Sequence, residues 1–257
     1  MANPHDAKQR RAAVLKAIVE EYVRSAQPVA SAAVVRKMRL RVSSATVRND
    51  MVALEDAGLI TQPHASAGRV PSSLGYRQFV DELMGPARVS PSEQRTSSCL
   101  GAMLSGKTAR QIEALRSTLE ASEAQVVQVI AELMHSLETN AAAAQRFAGV
   151  GALLRQPEFR DAGRVHPLLA MLEDGTLLGR LRESLPGAPG VRVVIAGERT
   201  LDVMDEYSAV LAQYGDDARG HGVVGVVGPQ RLPYRRAVAS VEVIARALSR
   251  VVAVAAA

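Results

Sequence analysis

Val42-Ser43-Ser44-Ala45-Thr46-Val47-Arg48-Asn49-Asp50-Met51, running on to Ala57-Gly58-Leu59-Ile60, is the stretch on which the reading of this chain turns. Val47, Met51 and Leu54 recur at i, i+4 and i+7, the spacing of one buried stripe on a helix. Arg48 and Asn49 face away from that stripe, just past the first turn. Either Ser43 or Ser44 can cap that turn by accepting a backbone N–H, and Gly58 supplies a left-handed stop. Small hydroxyls followed by Arg and Asn on an exposed first turn suit a DNA major groove. Arg bonds bidentately to guanine, Asn to adenine, and Ser or Thr to base edges or phosphates. A solvated helix face is the plain alternative for the same residues.

The flanking sequence favours the DNA-binding reading. Val14, Leu15, Ile18, Tyr22 and Val23 make an amphipathic helix from Lys8 to about Arg24. Pro28 then closes a turn, and Ser31 is placed to cap a short helix carrying Val34, Val35 and Met38. Arg39-Leu40-Arg41-Val42 feeds the third helix, an order of helix-turn-helix type. Leu59-Ile60-Thr61-Gln62 reads as a short strand, Pro63 to Gly68 as a turn, and Arg69-Val70 as a return strand stopped by Pro71. A helix followed at once by such a hairpin predicts a winged helix-turn-helix, with Arg69 near the tip reaching a phosphate or the minor groove. The expected DNA-contacting set is Ser43, Ser44, Thr46, Arg48, Asn49 and Arg69.

These residues carry a family resemblance. Ser43 to Met51, Gln62-Pro63-His64-Ala65-Ser66-Ala67-Gly68-Arg69-Val70-Pro71 and Gly75-Tyr76-Arg77 resemble the signature of HrcA, the bacterial heat-inducible transcription repressors. Further on, Gln156-Pro157-Glu158-Phe159, Val193 to Glu198 and Gly225 to Tyr234 fall in the same family's order. The N-terminal match runs nearly unbroken from Arg11 to Met84, and a looser one spans most of Phe147 to Val252. The resemblance implies a homodimer on an inverted-repeat operator in double-stranded DNA ahead of chaperone genes. It also implies a GroEL chaperonin partner that keeps the repressor active until heat-damaged protein occupies it.

Composition agrees. A hydrophobic fraction of 47% suits a globular chain of one or two domains, and with no Trp and 3% aromatics the core must be built from Ala, Val and Leu. The net charge is +5, and residues 1–85 hold twelve Lys/Arg against eight Asp/Glu. Nearly all the excess therefore sits in the first third, where phosphate attraction is its natural use. The single cysteine, Cys99, excludes an intramolecular disulfide. With no apolar signal segment after Met1, this argues for the cytoplasm. The apolar run Val251–Ala257 is too short to cross a bilayer, so no membrane is expected.

The expected class is α+β. It comprises a winged helix-turn-helix domain at 1–86, a polar linker at 87–99, a helical segment at 100–146 and a mixed region at 147–257. Ile112, Leu115, Leu119, Val126, Ile130, Leu133 and Leu137 recur every three or four residues, apart from a gap near Ser122. No Gly or Pro interrupts Lys107 to Phe147. The pattern alone leaves open a core helix or a subunit contact. The resemblance implies the second, because the family carries a helical insertion associated with dimerisation. Beyond it, Asp161 is placed to cap a helix with Val165, Leu168, Leu169 and Leu172 on one face. Val191–Ile195, Tyr207–Leu211 and Val223–Val227 read as strands, and Pro233 starts a last helix. This region resembles part of the family's GAF-like domain. The family block between Met84 and Gly106 that supplies its first strands is replaced here by the short stretch Gly85 to Ser98. An incomplete sheet with an exposed edge is therefore expected.

Gly220-His221-Gly222-Val223-Val224-Gly225 matches a dinucleotide fingerprint in letters. The fingerprint needs a strand before it and a helix opening at it, whereas here a loop precedes and a strand follows. His5, His64, His135, His166 and His221 are scattered, and no nucleophile–base set or paired carboxylates stand together. No enzyme, metal site or cofactor is expected. The competing reading from another class is a winged-helix regulator whose C-terminal domain binds a small metabolite.

Overall fold

A computed structural model describes residues 4–38, 42–86, 109–119, 149–160, 162–174, 190–197, 207–216 and 220–255, with isolated positions between 107 and 147 and between 176 and 179. The fold is α+β. The chain forms two compact units. One comprises Met1–Arg88, Val193–Ala209 and Val227–Val238; the other comprises Val89–Arg192, Val210–Val226 and Ala239–Ala257. The linker expected at 87–99, the link Arg39–Arg41, Cys99 and the capping Asp161 lie outside the described residues.

In the first unit three helices lead: α1 (Pro4–Ser25), α2 (Ser31–Met38) and α3 (Ser44–Asp56). Val14, Leu15, Ile18 and Val19 of α1 are buried, as are Val34 of α2 and the predicted stripe Val47, Met51 and Leu54 of α3. Tyr22 and Val23 are only half-buried. The N-cap of α3 is Ser43, whose side chain accepts from the Thr46 N–H at 3.1 Å, a bond worth about 1 kcal/mol to the helix. Ser31 begins α2 as its first helical residue. Its hydroxyl does not cap α2 but lies 3.1 Å from that of Ser44, joining the first turns of α2 and α3.

Gly58 (φ +71) stops α3 in the left-handed region, as expected. β1 (Ile60–Thr61) and β2 (Val70–Pro71) then pair antiparallel, Ile60 opposite Pro71 and Thr61 opposite Val70. Pro71 closes β2 from within it. The α1–α2 loop adds a rung that the sequence did not announce. Val29 donates to Arg69 O at 2.8 Å, and Arg69 donates back to Val29 O at 2.9 Å. Gly68 is required beside that rung, because a Cβ there would lie 2.5 Å from the Val29 carbonyl carbon.

Ser72 caps α4 (Ser73–Gln78), which passes into a π-helical turn, Phe79–Leu83, closed by the Met84 N–H on Phe79 O. Tyr76 and Phe79 are buried. The remaining strands are β3 (Val191–Val194), β4 (Tyr207–Asp216) and β5 (Gly220–Pro229), in the order β3-β4-β5. Tyr207 to Ala212 of the central strand are buried throughout, which explains their unbroken run of apolar and small residues. β5 begins at Gly220, so the Gly-rich letters 220–225 lie inside a strand and open no helix.

In the second unit, α5 (Ala109–Ala114) tightens into a 3-10 turn, Leu115–Thr118, and ends at Leu119 with extended backbone (φ −110, ψ 156). The uninterrupted helix expected from Lys107 to Phe147 thus breaks just ahead of Ser122, where its apolar stripe has a gap. Ile112 packs with Val127, Ala131 and Leu248, and Leu115, Leu119, Tyr214, Val224 and Ile244 close around them. The described part of this segment is therefore core of its own chain. Ile130, Leu133 and Leu137 lie outside the described residues. Helices α6 (Val150–Leu154) and α7 (Ala162–Glu173) follow, the latter burying Leu168 and Met171. The chain's last helix, α8 (Tyr234–Ala255), starts as expected just after Pro233.

Candidate nucleic-acid interface

α3 presents two faces. Its inner face is apolar except for Asp50, which is buried at 2% exposure. The Arg10 guanidinium of α1 meets that carboxylate with Nε at 2.6 Å and a terminal nitrogen at 3.0 Å, and Arg11 stands at 3.6 Å. A bidentate pair of this kind fixes rotation as well as distance. It thus sets which residues of α3 face outward. The sequence reading missed this pair; the signal was an acid inside an otherwise apolar stripe, forty residues from its partner.

The outer face consists of Ala45, Arg48, Asn49, Val52 and Asp56, all exposed. No ion-pair partner for Arg48 is found among the described residues, so its five donors remain available to a ligand. Thr46 and Ser44 are half-buried, and Ser43 is exposed. The Ser43 and Thr46 hydroxyls lie 2.9 Å apart at the helix start, beside the Ser31–Ser44 contact. Five of the six expected contact residues thus lie on α3 or its cap.

Arg69, the sixth, lies off α3 and pairs with Glu55. It stands where the connecting loop enters β2, on the loop side of the Thr61–Val70 pair and next to the Val29 rung, with its side chain 17% exposed and a terminal nitrogen 2.8 Å from Glu55 of α3. The sequence reading overlooked Glu55, the residue that follows Leu54 of the buried stripe. The tip itself is held by Gln62, whose amide donates to Ala65 O and Ala67 O, each at 2.9 Å.

α4 is braced from its other side within the same unit. Arg77 donates to Val193 O at 2.9 Å, Gln230 to Ser73 Oγ at 2.9 Å, and Arg235 to Met84 O at 2.6 Å. The Tyr76 and Tyr234 rings lie 5.7 Å apart at 55°. The Tyr234 hydroxyl lies 2.8 Å from Ser208 Oγ and 2.6 Å from Gln230 O.

Comparison with known proteins fits this arrangement. The family model for the HrcA protein C-terminal domain matches residues 28–238. The chain belongs to the HrcA family. A heat-inducible transcription repressor HrcA from Herpetosiphon aurantiacus is 33% identical, with 94% of each chain covered. One from a Roseiflexus species is 30% identical, with 96% of this chain and 95% of the relative covered. The Herpetosiphon alignment runs over 334 positions, more than the 257 residues here, so gaps open opposite this chain. The fold also matches the crystal structure of a hypothetical protein, with a TM-score of 0.64 at 20% identity over 96% of this chain and 98% of the other. Among the described residues no helix is long and apolar enough to cross a membrane.

Proposed function

We propose that this chain is a heat-inducible transcription repressor that binds an inverted-repeat operator as a dimer, with α1–α3 and the β1–β2 hairpin acting as a winged helix-turn-helix. The observation that carries this reading is the outer face of α3. Arg48 and Asn49 stand exposed there while the Arg10–Asp50 pair locks the opposite side. Burial of a charge behind a reading face makes sense if the face must hold one rotation against base edges. The relatives' common name supports the same reading. In it, Ser43, Ser44 and Thr46 meet phosphates or base edges at the helix start, Arg48 and Asn49 read bases, and Arg69 holds the wing against Glu55. The C-terminal strands and helices form a GAF-like regulatory region, and the GroEL chaperonin acts through the chain outside α3.

Unbiased selection of double-stranded DNA with the purified chain tests this. Recovery of a palindrome bound by two copies supports it. A single non-repeated site, or no enrichment, overturns it. Chaperonin dependence is a separate arm, in which GroEL should raise the fraction of protein competent to bind the operator.

A further inference from the structure

Val52 stands out on the proposed reading face. It is 50% exposed, whereas the other valines of the first three helices are buried or half-buried. A β-branched residue on an exposed helix face costs helix stability relative to Ala or Leu and returns nothing in packing. Its position gives it a use. Val52 lies one turn beyond Arg48 and seven residues beyond Ala45, roughly 10 Å along the axis, a span of about three base pairs. Asp56, one turn further, is exposed and acidic, so a face approaching phosphates ends before it.

We infer that Val52 is a specificity-determining residue that reads the 5-methyl group of a thymine in the operator half-site, next to the base read by Arg48. The major groove offers one apolar feature, the thymine methyl, and small apolar side chains are its usual partners. Arg48 and Asn49 supply hydrogen-bond readout of neighbouring bases, and Val52 supplies discrimination of thymine from cytosine without a hydrogen bond. This rests on the proposed placement of α3 in the major groove.

The experiment removes one methyl at a time from the DNA. Each thymine of a selected half-site is replaced singly by uracil, which deletes the 5-methyl and leaves the pairing edge intact. Affinity is then measured for the unaltered chain and for Val52→Ala. One uracil position should weaken the unaltered chain about fourfold, the worth of one buried methyl-sized group, and cost Val52→Ala clearly less, because the shorter Ala side chain makes fewer contacts with the methyl. A flat uracil scan, or equal losses in both proteins, overturns the inference. Val52→Ala improves helix propensity at an exposed site, so a circular-dichroism melt at or slightly above that of the unaltered chain is expected. Arg48→Ala, run in parallel, separates the two claims. If it keeps full preference for the operator over random DNA, the groove placement itself fails. If it loses that preference while no uracil position couples to Val52, only the thymine reading falls.

Discussion

At the scale of single residues, Arg48 and Asn49 on one side of α3 and Asp50 on the other do different work, and substitution should separate them. Arg48→Ala or Asn49→Ala removes a base contact worth about 1–3 kcal/mol of discrimination. Operator affinity should fall toward that for random DNA at fixed salt, while random-DNA affinity and the melting curve stay nearly unchanged. Equal loss on both DNAs would mean that these residues touch phosphate alone. Asp50→Ala should instead leave the Arg10 guanidinium, 21% exposed, without its carboxylate. A hydrogen bond to a charged group is worth about 1.5–3 kcal/mol, so urea unfolding should shift by that order. Arg10→Ala should do the same. The double substitution should cost less than the two losses added, because both singles break one interaction. Strict additivity would show that the pair is geometric only.

At the scale of elements, the hairpin after α3 is tied at both ends, and its role differs from that of a free arm. Arg69→Ala should release the hairpin loop from Glu55 and disturb the Val29 rung. Binding to operator and random DNA should both weaken, with the slope of log affinity against log salt unchanged. A slope lower by roughly one unit would instead identify a direct phosphate contact. Gly68→Ala should be worse for the hairpin, since its Cβ would collide with the Val29 backbone. What was legible in the sequence follows the same physics. α3 and its stripe were readable because Val47, Met51 and Leu54 follow one period and Gly58 punctuates the end. The Val29 rung and the Glu55 partner were not, because pairing across forty or fourteen residues leaves no local pattern. The break at Leu119 was hidden because apolar spacing persists through it without Gly or Pro. β4 and β5 outran the expected strands because Gln213, Tyr214 and Gly215, and then Gly220, His221 and Gly222, break the apolar alternation while still joining the ladder.

At the scale of the whole molecule, the sequence suggested an N-terminal domain ending at 86, but the unit containing α1–α4 also draws in Val193–Ala209 and Val227–Val238. The brace is both polar and apolar. Arg77, Ser73 and Met84 each bond to a residue more than a hundred positions away, and Tyr76 faces Tyr234. Tyr76 and Tyr234 are fully buried, and loss of a buried aromatic from such a core costs about 3–5 kcal/mol, a large share of a domain's net stability. A fragment of residues 1–86 should therefore be less stable than the same helices in the full chain. Its urea midpoint should fall clearly below the first transition of the intact protein, and it should bind an apolar dye through the uncovered side of α4. Tyr234→Ala in the full chain should reproduce part of that loss, even though Tyr234 lies 148 residues beyond the fragment's end. If the fragment instead unfolds at the same midpoint as the intact chain and binds no dye, α1–α4 stand alone, and the brace from β3, Gln230 and α8 contributes nothing to holding the reading face.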